Sequence, residues 1–324
     1  MKNIIIALLI LLAVGFTFYF INKQEAEIDN DTNQESELID SDTSLDDGGA
    51  DFTGLSDEER AERIAEAKKA GKTEVEWSRK TTLGKSVEGK NIVAYQYGTG
   101  DTELLFVGGI HGGYSWNTSA VAYDLMEYIE DNEGVISDDI QVTIIPALNP
   151  DGLSDVAPDY ESGVETSDIT ASQDEKVAAR FNANDVDLNR NFDCEWQTNA
   201  KWQNRDVSGG DSAFSEPESR AVRDYVTKNK PDAVVVWYSA GGGVFSSNCR
   251  GGVLPETSKI TDLYAKATGY KAYDSFDFYA TTGDMVNWLA KEGIPAVSVL
   301  LTTHNSPETS KNIEGFKALL NYYK

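Results

Sequence analysis

The residues able to do chemistry are few and fall in four short clusters. His111 follows Gly108-Gly109-Ile110 and precedes Gly112-Gly113-Tyr114. Asn149-Pro150-Asp151-Gly152 forms a second cluster and Tyr238-Ser239 a third, while Thr302, Thr303 and His304 follow Leu300-Leu301. His111 and His304 are the only histidines in 324 residues, very few for a histidine-rich metal site. Ser239, with His304 beyond a neighbouring apolar run, offers a hydroxyl nucleophile and an imidazole base. Tyr238-Ser239-Ala240-Gly241 resembles part of a nucleophile elbow, but bulky Trp237 stands where that turn needs its first glycine.

Each cluster closes an apolar run, so strands must position it. Residues 103–107, 141–146, 233–237 and 296–301 read as buried strands, and residues 73–79 and 91–97 alternate as half-buried ones. Helical patterns cover residues 119–131, 216–229, 258–268, 283–291 and 312–323, with a polar stretch before Asn182. This alternation predicts an α/β fold: a single domain with a mostly parallel mixed sheet and helices on both faces. In such sheets ligands bind beyond the carboxyl ends of the strands, where the four clusters fall.

Composition narrows the function classes. With 28 Lys and Arg against 54 Asp and Glu, the formal net charge is -26, which repels a phosphate backbone and argues against nucleic-acid partners. A hydrophobic share of 40% is globular and excludes wholesale disorder. Lys2 precedes an apolar run over residues 4–21, so residues 1–22 read as an N-terminal membrane anchor or signal segment. No small-residue cleavage site stands out, which favours an uncleaved anchor with the body of the chain extracytoplasmic; secretion is the alternative. Residues 24–51 hold 11 acidic residues and no Lys or Arg, and residues 23–55 are expected to form a disordered tether. Without those 11 charges the remainder still carries about -15. Ser56 and Glu59 have capping-box spacing for a short helix over 56–72, and the folded domain proper spans 73–324.

Read together, the motifs resemble one family. Gly84-Lys-Ser-Val-Glu-Gly-Lys-Asn-Ile92, Gly108-Gly-Ile-His111, Asn149-Pro-Asp-Gly152, Asp187-Leu-Asn-Arg-Asn-Phe192 and Ser215-Glu-Pro-Glu218 occur in the order of the zinc carboxypeptidases, which include carboxypeptidase A and bacterial peptidoglycan-cleaving members. Tyr279, nine residues before Trp288, continues the likeness, which runs from about Lys80 to the C-terminus. The resemblance implies a zinc held by a His and a Glu in an H-x-x-E turn and by a second His. It also implies a separate Glu as general base for the metal-bound water.

Carried onto this chain, the first ligand is His111, but Tyr114 stands at the Glu position and Tyr238 at the second His. The general base falls on Leu300, or on Leu301 if the register slips by one. His304 and Glu308 are the nearest substitutes. A phenol is a poor zinc ligand near neutrality, since its ordinary pKa of about 10 keeps it protonated. Tyr114 and Tyr238 are therefore expected to fill vacated volume, leaving His111 as the single remaining ligand and no cofactor.

The substrate-grasping half survives. In the family, Asn189 and Arg190 match the pair that takes the substrate's C-terminal carboxylate, Arg180 matches the arginine that polarises the scissile carbonyl, and Tyr279 matches the mobile tyrosine over the bound substrate. A structural salt bridge is the competing reading for Arg190. Cys194 and Cys249 follow elements that end on one rim of the sheet, and a disulfide between them is favoured over two buried thiols.

Three functions compete. The leading one is a membrane-tethered, catalytically inactive carboxypeptidase-like domain that binds peptide or cell-wall stem-peptide carboxylates. Second is an active metallocarboxypeptidase whose rearranged zinc site recruits His304, and third is a metal-free serine hydrolase using Ser239.

Overall fold

A computed structural model describes residues 78–324. The anchor, the tether and the 56–72 helix lie outside the described residues, among which no helix is long and apolar enough to cross a membrane.

The strands are β1 (Ser78–Lys85), β2 (Asn91–Tyr97), β3 (Thr102–Val107), β4 (Ile140–Ile145), β5 (Asn199–Trp202), β6 (Arg205–Ser208), β7 (Ala233–Ser239), β8 (Gly243–Ser246), β9 (Lys271–Tyr273) and β10 (Ala296–Leu301). The helices are α1 (Trp116–Asp131), α2 (Pro150–Ser154), α3 (Gln173–Ala178), α4 (Pro217–Asn229), α5 (Pro255–Thr268), α6 (Met285–Lys291) and α7 (Thr309–Tyr323). Among the described residues, eight strands form one sheet in the order β1-β2-β4-β3-β7-β10-β8-β9, and β5 and β6 form a separate hairpin. The central β4, β3, β7 and β10 run parallel, while β1 and β2 are antiparallel additions and β8 runs antiparallel to β10.

The central strands are apolar on both faces because helices cover both. On one face Leu125 of α1, Ile260 of α5 and Phe316 of α7 pack with Phe106, Trp237 and Leu301. On the other, Val222 of α4 and Leu289 of α6 pack with Val107, Val236 and Leu300. Period-2 alternation thus sends Leu300 and Leu301 to opposite faces.

Several element boundaries differ from the sequence pattern for local reasons. Helices α4 and α5 start on Pro217 and Pro255, where the missing N–H is no loss. Helix α6 starts at Met285 rather than at 283, because Gly283 has φ +67° and Asp284 caps the helix by accepting from the Asn287 amide. The polar stretch before Asn182 contains the short helices α2 and α3. Strands β5, β6, β8 and β9, of three or four residues, are too short to show a period.

Candidate functional site

The carboxyl ends of β3, β7 and β10 open into a cleft of about 590 Å³. His111, Tyr114, Arg180, Asn189, Arg190, Tyr238, Ser239, Tyr279, Leu300 and His304 all line it. In-register parallel pairing sets Leu300 beside Tyr238 and Leu301 beside Ser239. Leu300, not Leu301, faces the cleft, so of the two leucines it is the one that presents a hydrocarbon there.

Side-chain hydrogen bonds tie the motifs to one another. The Asn149 side chain donates to the Arg180 and Phe181 carbonyls at 3.3 and 2.9 Å while its oxygen accepts from the Gly152 amide. It therefore holds the Arg180 segment against the end of β4. Asp151 reaches back to Ser86 Oγ at 2.6 Å and to the Glu88 amide at 3.0 Å. Glu216 and Glu218 accept from Asn182 Nδ2 at 2.8 and 3.1 Å, and Asn191 ties the 209–219 loop to the Arg190 segment. Gly283 approaches so closely that a Cβ would lie 2.1 Å from the Arg190 carbonyl oxygen. Hydrogen bonds from Phe192 N–H to Gly283 O and from Gly283 N–H to Cys194 O then lace the loop that follows Tyr279 to that segment. Cys194 and Cys249 form a disulfide with Cα atoms 6.1 Å apart.

Asp187 is the charged centre that sequence reasoning quoted but gave no role. It is fully buried and accepts from Arg180 Nε and Nη2 at 3.1 and 2.8 Å. Despite burial, which works the other way, the positive charges of Arg180 and Arg190 and the His111 ring hold its carboxyl well below the usual range. The Arg180 guanidinium also lies over the Trp202 ring at 4.2 Å and the Tyr114 ring at 5.5 Å. Nothing in the pattern of the short β5 strand marked Trp202 for this contact.

His111 is buried, and neither ring nitrogen has a hydrogen-bond partner among the described residues; Nε2 stands 3.6 Å from Asp187 Oδ1. Burial and the Arg180 charge lower its pKa to about 4, against the raising effect of Asp187, so the ring is neutral at pH 7. Tyr238 is 5.7 Å from it, ring to ring, and donates to Asn189 Oδ1 at 3.2 Å. Burial pushes the Tyr238 hydroxyl well above its ordinary pKa and raises that of Tyr114 too. Both phenols therefore stay protonated, the wrong state for a metal ligand. Among the described residues no group of three His, Cys, Asp or Glu side chains could hold a metal ion. The surroundings of His111, two protonated phenols, the hydrocarbon of Leu300 and an Asp187 carboxylate already paired with Arg180, do not fit zinc.

His304 lies elsewhere in the cleft, its ring 4.5 Å from that of Tyr114 and its Nδ1 3.1 Å from Ser239 Oγ. Glu308 is committed locally, accepting from the Thr302 amide at 2.6 Å, Tyr270 at 2.8 Å and Lys311 at 2.6 Å.

Arg190 is buried, with Nε donating to the Lys201 carbonyl at 2.8 Å and Nη1 to the Asn189 carbonyl. Among the described residues it forms no salt bridge, unlike Arg180, and the Tyr279 ring lies 5.9 Å from its guanidinium carbon. Asn189 donates to Asp284 Oδ2 at 2.8 Å and accepts from the Met285 amide at 3.0 Å, which fixes its amide. Burial raises the Asp284 carboxyl pKa, and Arg190 opposes that rise.

Comparison with known proteins agrees with this architecture. The zinc carboxypeptidase family pattern matches residues 65–298. Mouse carboxypeptidase D is 27% identical over 186 residues, covering 53% of this chain and 11% of that protein. The human carboxypeptidase N catalytic chain is 25% identical over 197 residues, covering 53% of this chain and 37% of its own. The chain thus spans well under half the length of these relatives. Among solved structures, bovine thrombin-activatable fibrinolysis inhibitor in complex with tick carboxypeptidase inhibitor superposes with a TM-score of 0.63 at 17% identity, over 82% of this chain and 95% of the other. Murein-tripeptide amidase MpaA from Escherichia coli O157 gives 0.52 at 19% identity, over 75% of this chain and 91% of the other. With that family match over most of its length, this chain belongs to the zinc carboxypeptidase family.

Proposed function

We propose that this protein is a carboxypeptidase-like binding domain, tethered outside the membrane by its N-terminal segment, that holds peptides or cell-wall stem peptides by a free terminal carboxylate and has lost the zinc reaction of its family. The observation that carries this reading is Arg190, a buried guanidinium in the cleft without a salt bridge among the described residues. Asp187 and Asp284 lie near enough to feel its charge without pairing with it, which leaves its planar fork available to a carboxylate ligand. Tyr279 lies close enough to cover such a ligand. The likeness to a murein-tripeptide amidase points to stem peptides as the class to test first.

The donor set supports the loss of zinc chemistry: His111 has no second imidazole beside it, the neighbouring Asp187 carboxylate is committed to Arg180, and a hydrocarbon stands at Leu300. A rearranged zinc site would have to draw His304 away from Ser239. Titration of a free-acid peptide and its amidated twin tests the binding half. The acid should bind ten- to a hundredfold more tightly, about 1.5–3 kcal/mol for a charge-assisted contact. Equal curves across a panel that includes stem peptides would overturn it. Zinc analysis after dialysis tests the other half: the full chain should hold no stoichiometric metal, and an equimolar content would restore the active-enzyme reading.

A further inference from the structure

We propose that Ser239 and His304 form a nucleophile and base pair that accepts acyl groups without a metal, acting on esters or activated amides whose carbonyl enters the cleft. Ser239 ends β7, one residue beyond Tyr238, and His304 lies three residues past the end of β10, the strand paired with β7 in parallel. Parallel strands bring their carboxyl ends to the same rim, so residues 65 positions apart meet with His304 Nδ1 3.1 Å from Ser239 Oγ. That distance is within reach for proton transfer.

A third residue orders the pair. Asn117 Nδ2 donates to the Thr303 and Ser306 carbonyls at 2.8 and 2.9 Å, which clamps the loop carrying His304 and turns Oδ1 toward Ser239 Oγ at 2.9 Å. The serine has one hydrogen and two neighbours able to accept it. With His304 protonated, Nδ1–H donates to Oγ and the serine proton rests on Asn117. With His304 neutral, the hydroxyl can turn to Nδ1 and its oxygen is primed to attack. Burial and the charges of Arg180 and Lys176 lower the His304 pKa, while a hydrogen bond to the Tyr114 backbone carbonyl raises it. The net lowering favours the neutral ring, the form that can take the serine proton.

The chemistry balances with water as the only co-reactant. Oγ forms a bond to the carbonyl carbon while its proton passes to Nδ1, and the guanidinium of Arg180 in the same cleft offers positive charge to the developing oxyanion. Collapse breaks the bond to the leaving group, which takes the proton from Nδ1. Water, losing a proton to Nδ1, then attacks the acyl carbon; collapse breaks the bond to Oγ, which takes the proton back from Nδ1 as the acid is released. Nothing in this sequence depends on carboxylate capture by Arg190.

The full chain, kept in a chelator that removes any zinc contribution, should be treated with a fluorophosphonate and, separately, with p-nitrophenyl acetate, then quenched in acid and mapped by mass spectrometry. One phosphonyl and one acetyl adduct on Ser239 are expected, both absent in Ser239→Ala. His304→Gln should slow labelling by about a hundredfold or more. The labelling rate should fall with pH as His304 protonates below its ordinary range. An unlabelled Ser239, or labelling unchanged in His304→Gln, would overturn the proposal whether or not carboxylate peptides bind.

Discussion

At the scale of residues, the site is organised by one buried carboxylate. Asp187 joins Arg180 and faces His111, so its charge is present only because two arginines and an imidazole offset its burial. Arg180→Ala should therefore destabilise the protein by about 3–5 kcal/mol in chemical denaturation, because it strands a buried charge. His111 carries the opposite consequence. Its folded pKa of about 4 lies below the unfolded value of about 6.5, so between those values the unfolded chain binds more protons and stability falls as pH falls. A shift of that size is worth about 3 kcal/mol, fully present above pH 7 and lost toward pH 4. His111→Asn should flatten the acid limb of stability against pH by that order relative to the unsubstituted protein. Arg190→Ala should abolish the preference for free-acid peptides, and Arg190→Lys should restore it only in part, because a point charge cannot replace the fork.

At the scale of elements, the Arg190 segment is held from three sides. Asn191 fastens the 209–219 segment to it, Gly283 packs on its carbonyl, and the disulfide ties the bent stretch after it to the residues after β8. Closing a loop with a sequence separation of 55 contributes about 4 kcal/mol in the chain-entropy model. The Cys194→Ser, Cys249→Ser pair should lower stability by roughly that amount, read as a shifted denaturant midpoint. Helix starts were blurred at Trp116 and at Pro255, each three residues before the expected start; proline at the first helical position carries no apolar period. Strands β8 and β9 extend the sheet past β10 with too few residues to announce themselves.

At the scale of the whole molecule, the net charge of -26 sets a field that opposes any anionic ligand. Peptide binding should be weak at low salt, improve as added salt screens the distant acidic groups, and decline only when the Arg190 contact itself is screened. Isothermal titration over a salt series checks this, and a monotonic fall from the lowest salt would show that the field does not matter. The scaffold allows a sharper test. Tyr114→Glu, Tyr238→His and Leu300→Glu together should recover zinc binding, since the first two supply the missing ligand types and the third a base on the cleft-facing side of β10. A folded triple variant that takes up no zinc would mean that these three positions no longer converge.

The sequence by itself determined the α/β class, the gathering of polar clusters beyond the strand ends, and which side chains stand at positions 114, 238 and 300. Those properties depend on residue type and short-range period, such as two apolar runs ending in Tyr238 and Leu300. It left open which leucine faced the site, whether Arg190 was already spent on a carboxylate, and what His304 touched. Each depends on residues far apart in the chain meeting in space. Pairing between β7 and β10 set Leu300 toward the cleft, packing left Arg190 buried without a salt bridge among the described residues, and the common rim of two parallel strands brought His304 to Ser239. Tertiary structure decided these points because burial and proximity are properties of the packed sheet, and no local pattern encodes them.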